Sequence, residues 1–199
     1  MTREVWDTLY AEANLLHRNV SDLAAFLPFP KAEFQDDTPV KPDPLCNNML
    51  MDTSISETPY PDFRDACFAA APFGWWRDTY RDTPIGDRLH AHFGTFEILG
   101  RDTPLKADGM RAFLIYQRAG YHYPMHHHPA EEIYLVLAGE ASFEREGHAS
   151  QTLGPGATAF HPEGVPHALT TDQSAILAYV LWRGDLHTKP VFTYPEQLS

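Results

Sequence analysis

The sequence predicts a mainly β protein: a closed jelly-roll barrel carrying an N-terminal helical extension. Two observations predict it. After Phe73, short runs rich in aromatic and β-branched residues are broken by Gly, Pro or Asp at intervals typical of antiparallel sheet. Before Phe73, apolar residues first recur at helical spacing, and a proline-rich stretch follows. At 199 residues, 43% of them hydrophobic, the chain is long enough for one sizeable core. The expected organisation is therefore residues 1–72 as the extension and 73–199 as the barrel, in one structural unit.

From Thr2 to about Leu16, the apolar residues Val5, Trp6, Leu9, Tyr10, Ala13 and Leu16 line one face of a helix. Ser21 or Asp22 is expected to cap a second helix through Phe26, which Pro28 and Pro30 stop. Five prolines between Lys31 and Pro61 mark a long connector, with one helical turn expected near Asn47 to Met51. A short helix is expected from about Asp62 to Ala71. The expected strands run Trp75–Tyr80, His90–Leu99, Arg111–Arg118, Glu132–Leu137, Ala141–Arg145, Thr158–His161 and Ala175–Trp182. Closure into a barrel would remove the exposed strand edges.

Composition excludes some functions. A formal charge of -12 argues against nucleic acid or an anionic membrane as partner, because both need a basic face. No apolar run has the length of a spanning helix or the flanks of a signal peptide, so a soluble, cytoplasmic protein is expected. Cys46 and Cys67 are too few for a disulfide framework and form no CxxC pair, so both are expected to be inert thiols.

The chemistry concentrates between Gly120 and Gly139. His126 and His128 are two apart, so on an extended strand both imidazoles project from one face while His127 points the other way. Pro129 and Ala130 can turn the chain, after which Glu132 and Tyr134 again share one face. Downstream, the Gly- and Pro-shaped stretch from Gly156 delivers His167 at the start of a later strand. Imidazoles joined by one carboxylate suit a single divalent transition metal ion, Zn²⁺, Fe²⁺, Ni²⁺, Co²⁺ or Mn²⁺, rather than the oxygen-loving Ca²⁺ or Mg²⁺. The candidate metal ligands are thus His126, His128, Glu132 and His167. His122, His127 and His161 are expected on the opposite face or in supporting positions. The variant spacing His90-x-His92-x4-Glu97 lacks the flanking glycines and reads as plain strand.

These residues resemble the cupin superfamily. Its first motif, G-x5-H-x-H-x3-E-x6-G, is matched at Gly120, His126, His128, Glu132 and Gly139; its second at Gly156, Pro162, Gly164 and His167, with Thr171 in place of the final Asn. Tyr134, two residues after Glu132, makes the chain similar to the cupin-type dimethylsulfoniopropionate lyases of the DddQ type. That group also has an N-terminal helical extension of this size, a Tyr three residues ahead of the first motif His (Tyr123) and a Trp on the strand after the last ligand (Trp182). The resemblance implies a metal-dependent carbon–sulfur lyase that splits dimethylsulfoniopropionate into dimethyl sulfide and acrylate by β-elimination.

In that reading Tyr134 is the general base, and Tyr123 and Trp182 hold the substrate, either as an aromatic wall around the sulfonium or as donors to the carboxylate. The alternatives at this stage are another metal-dependent cupin enzyme, a dioxygenase or isomerase, or a non-catalytic small-molecule-binding cupin. The N-terminal helices are expected either to cover the barrel mouth or to form a homodimer interface.

Overall fold

The computed structural model describes residues 3–198. The helices are α1 (Arg3–Asn19), α2 (Ser21–Phe26), α3 (Pro44–Met51), α4 (Pro61–Ala70) and α5 (Gly86–His90). The strands are β1 (Glu33–Phe34), β2 (Trp75–Trp76), β3 (Phe93–Leu99), β4 (Leu105–Lys106), β5 (Arg111–Gln117), β6 (His122–His127), β7 (Ala130–Gly139), β8 (Ala141–Arg145), β9 (Gln151–Leu153), β10 (Thr158–His161), β11 (His167–Thr170), β12 (Ile176–Gly184) and β13 (Val191–Phe192). Among the described residues no helix is long and apolar enough to cross a membrane.

Two antiparallel sheets form the jelly roll: a six-stranded one ordered β10-β7-β12-β5-β3-β2 and a five-stranded one ordered β13-β6-β11-β8-β9. β1 pairs with β4 apart from both. Among the described residues no ladder joins the two large sheets, so the expected hydrogen-bonded closure is replaced by face-to-face packing. The outer strands need no closure, because β2 and β13 are only two residues long. The β10 edge is covered by α2, where Thr158 donates to the Asp22 carboxylate and Phe26 meets Phe160 edge-on at 6.1 Å.

The six-stranded sheet is buried on both faces, as the unbroken burial of β3 and β5 shows. Its alternate residues divide the labour. Ile133, Leu135 and Leu137 of β7, with Leu177, Tyr179 and Leu181 of β12, pack outward in one core with the helices. There Trp6 of α1 meets Phe96 at 6.0 Å and Phe63 of α4 meets Tyr179 at 4.9 Å. Tyr134, Val136, Val180 and Trp182 face inward, between the sheets. Fully burying a Leu or Ile contributes about 1.5–3 kcal/mol, so this shared core anchors the helical layer to the outer face of the sheet. The helices therefore cover the sheet's back.

Several boundaries differ from the sequence reading. α1 runs a turn past Leu16; the expected start at Thr2 lies outside the described residues. The N-cap of α2 is Val20, with no side-chain cap bond, rather than Ser21 or Asp22. α3 is a full eight-residue helix because Asp43 caps Leu45 N–H at 2.8 Å and Pro44 fills the first position, where no N–H is missed. The strand expected over Trp75–Tyr80 stops at Trp76, and turns closed by Arg81 N–H to Asp78 O and Thr83 N–H to Tyr80 O follow. The strand expected from His90 starts only at Phe93, because Gly86–His90 winds into α5.

His17, His90 and His161 are buried, and burial lowers the pKa of each, that of His161 to about 3. Folded values below the unfolded one of about 6.5 mean that the unfolded chain binds protons the fold refuses. Stability is then complete above about pH 6.5 and declines as the pH falls below it. Chemical denaturation of the metal-stripped chain should show a midpoint that is level near pH 7–8 and falls steadily toward pH 5. A midpoint flat down to pH 5 would contradict this account.

Candidate active site

The space between the sheets narrows to a pocket with a cavity volume of about 40 Å³, lined by the motif residues His126, His128, Glu132 and Tyr134 together with Arg77, Tyr80, His90 and Phe93. None of the lining residues belongs to α1–α4, so the extension supplies no lid. The segment from Arg77 to Phe93 supplies the last four.

Strand pairing assembles the site. Antiparallel register sets His167 of β11 opposite His126 of β6. On the facing sheet, Glu132 of β7 lies between His161 of β10 and Trp182 of β12, and Tyr134 is paired with Val180. His128 follows β6, where Gly164 N–H donates to its carbonyl at 2.9 Å and ties the second motif to the first. Gly164 has φ +69°, which suits glycine. At Gly139 a Cβ would lie 1.8 Å from the Ala175 carbonyl oxygen, so the motif's closing glycine is demanded by space as well as by φ +69°. Thr171, standing where the motif has Asn, donates to Arg118 O at 2.6 Å and accepts from Gln117 Nε2 and Tyr121 N–H, so the turn into β6 stays fastened.

His126, His128 and His167 are buried, with candidate ligand atoms within 4.8 Å of one another, a group that could hold a metal ion. The Nδ1 of each lies 2.9 Å from a backbone carbonyl, of Pro124, Ala130 and Val165 respectively. A carbonyl only accepts, so Nδ1 carries the proton and each Nε2 lone pair is left free. Nε2 of His128, Nε2 of His167 and Oε2 of Glu132 are buried without a hydrogen-bond partner. Glu132 Oε2 lies 3.5 Å and 3.1 Å from those two nitrogens. Converging, unsatisfied, buried donors are what a cation would satisfy, so the residues fit a metal.

Electrostatics agree. Burial and the neighbouring imidazole of His167 hold His126 well below the usual histidine range, hence neutral. Burial acts to raise Glu132, and positive charge on the facing His128 and His167 would outweigh it and hold the carboxyl well below its usual range; with both Nε2 lone pairs free the imidazoles carry no such charge, and a cation between them would.

Tyr134 is buried beside this group, edge-on to Phe143 at 5.4 Å and to His161 at 5.5 Å. Burial and the Glu132 carboxylate push its phenol up. Tyr123 stacks on His126 at 4.0 Å and donates to the Tyr80 hydroxyl at 2.8 Å. Trp182 donates its Nε1–H to Glu132 Oε1 at 2.5 Å and lies 4.3 Å from the His128 ring. That donor is already engaged within the protein. His161 stacks on His167 at 4.2 Å, while His122 and His127 bond Thr170 and Thr193 away from the group. In the variant spacing, Glu97 bonds Arg111 and His92 stacks on Tyr121, so neither joins the imidazoles.

Arg77, Tyr80, Phe93 and Phe113 also line the pocket and escape the sequence reading, and His90, which that reading set aside with the variant spacing as plain strand, lines it from α5. No local motif marks the first four; the β2–β3–β5 pairing carries Phe93 and Phe113 to the histidines, and the segment that leaves β2 carries Arg77 and Tyr80.

A family model for dimethylsulfoniopropionate (DMSP) lyase matches residues 18–178. The chain is 42% identical, over 98% of its length and 97% of the relative's, to dimethylsulfoniopropionate lyase DddQ of Ruegeria pomeroyi. It superposes on the crystal structure of DddQ from R. pomeroyi DSS-3 with a TM-score of 0.93, covering 98% of this chain and 99% of that one at 42% identity. A structure solved with the DMSP lyases RdDddP and RnDddQII matches with a TM-score of 0.87 at 30% identity, over 96% and 98% of the two chains. On this likeness of sequence and structure across nearly its whole length, the chain belongs to the DMSP lyase family.

Proposed function

We propose that this protein is a metal-dependent carbon–sulfur lyase that cleaves DMSP into dimethyl sulfide and acrylate by β-elimination, with Tyr134 as general base. Family membership supports the reaction. The observation that carries the site is the set of buried Nε2 and carboxylate atoms left without partners beside a buried Tyr134.

In the reaction the proton α to the carboxylate goes to the base, its C–H electrons form the new C=C bond, and the β C–S bond breaks as neutral dimethyl sulfide leaves. His126, His128, Glu132 and His167 would hold one divalent ion, and Zn²⁺, Fe²⁺, Ni²⁺, Co²⁺ and Mn²⁺ all suit three imidazoles and a carboxylate. When bound, the ion acts as a Lewis acid that neutralises charge on the substrate and favours the phenolate of Tyr134 against burial and Glu132. Tyr134 then receives the α proton at its hydroxyl oxygen. Trp182 fixes the Glu132 carboxylate through its Nε1–H, and Tyr123 packs His126 in place. The rings of Tyr80, Phe93 and Tyr123, packed against one another, would face the sulfonium.

Residues 1–72 and 73–199 are read as one structural unit, since the helices and the sheet share a core. Cys46 and Cys67, buried and unpaired, suit a reducing cytoplasm. A headspace assay for dimethyl sulfide tests the function: purified, metal-loaded protein mixed with DMSP releases dimethyl sulfide and acrylate in equal amounts without consuming oxygen. No release, or release that depends on oxygen, overturns the reading.

A further inference from the structure

Arg77 leaves β2 with its backbone fixed, its N–H donating to Thr95 O at 2.9 Å. Its guanidinium lies over the rings of Phe113 and Trp182, 4.9 Å and 5.2 Å from their centroids, on the pocket wall. Among the described residues no carboxylate and no hydrogen-bond acceptor engages this side chain.

The acids that could serve are spent elsewhere. Glu97 is held by Arg111 and by the backbone N–H groups of Arg101 and Asp102. Asp78, the next residue, pairs with Lys41. Glu132 is committed to Trp182 and the imidazoles. Arg77 is half-buried, and its planar fork of donors, engaged by no anion, matches a carboxylate. Burial, and then the like charge of Arg111, act against its cation more than Glu97 favours it.

We propose that Arg77 is the carboxylate-binding residue of the pocket and so fixes which way round the zwitterionic substrate lies. This rests on the lyase reading above. A carboxylate has two oxygens, so the guanidinium can engage one and leave the other free for the histidine side. The same charge repels the sulfonium from Trp182, whose face Arg77 already covers, and directs it to Tyr80, Phe93 and Tyr123. Arg77 thereby selects substrates that carry a carboxylate on the arm opposite the sulfonium.

The test uses acrylate and its neutral near-isostere acrylamide, titrated into metal-loaded and chelator-stripped protein by ligand-observed NMR, with Arg77→Met and Arg77→Lys beside the unmodified chain. Near-UV circular dichroism checks that each variant is folded. The unmodified protein should prefer acrylate, stripped or loaded. Arg77→Met should weaken acrylate at least tenfold in both forms and leave acrylamide unchanged, and Arg77→Lys should recover part of the loss. In the lyase assay, Arg77→Met should act mainly through KM. The proposal is overturned if Arg77→Met binds acrylate as well as the unmodified chain, if acrylate and acrylamide weaken together, or if the unmodified protein prefers neither. Arg77-dependent acrylate binding without dimethyl sulfide release would sink the lyase reading alone; release with Arg77→Met unaffected would sink this one alone.

Discussion

Replacing Tyr134 by Phe should cut dimethyl sulfide release by about two to four orders of magnitude, the usual worth of a positioned general base, while metal content stays at the level of the unmodified protein. The substitution removes one oxygen. The ring remains, and with it the edge contacts to Phe143 and His161 that seat it, so neither sheet has reason to move. The phenol is also poorly placed to titrate unaided, because burial and the Glu132 carboxylate both raise it. In chelator-stripped protein, ultraviolet titration should therefore show no Tyr134 phenolate near neutrality, that is, no difference from Tyr134→Phe. If Tyr134→Phe loads metal and turns over at the original rate, another group takes the α proton and the proposed mechanism fails.

What was legible in the chain follows from period and turn chemistry. The two-residue period puts His126 and His128 on one face and His127 on the other, and the structure has them so, with His127 bonded to Thr193 and its neighbours turned inward. The glycines that the motif demands sit where φ is positive or where a Cβ has no room. The run Ile133 to Ala138 shows no polar alternation, because one side faces the helices and the other the pocket.

What was not legible depends on distant pairing. Arg77 becomes a pocket residue only because β2 pairs β3 and β3 pairs β5, and β5 pairs β12, which brings Phe113 and Trp182 beneath it. Trp182, read from sequence as a wall for the sulfonium or a donor to the substrate carboxylate, has its Nε1–H on Glu132 and its face under Arg77, contacts that no spacing within β12 could announce. The strand expected from His90 overlaps the end of α5, which went unread because its five residues are too few to show a helical stripe.

Losing one imidazole should be as severe for function as losing the base, and for a different reason. His167→Ala leaves two imidazoles and Glu132 around a buried hole, and the bound ion should drop from one per chain toward zero by elemental analysis, with dimethyl sulfide release falling to background. Thermal melting separates this from a folding defect. An ion bound only by the folded state stabilises it by about 2.7 kcal/mol at a hundredfold excess over Kd, so added metal should raise the Tm of the unmodified protein and leave that of His167→Ala where it was. His127→Ala is the matched control: it removes a histidine flanked by two of the candidate ligands, yet its imidazole is bonded to Thr193 on the other face. It should load metal, shift its Tm on metal addition and turn over DMSP like the unmodified chain. Metal content lost in His127→Ala and retained in His167→Ala would reverse the assignment of faces, and with it the placement of every ligand argued from the strand period.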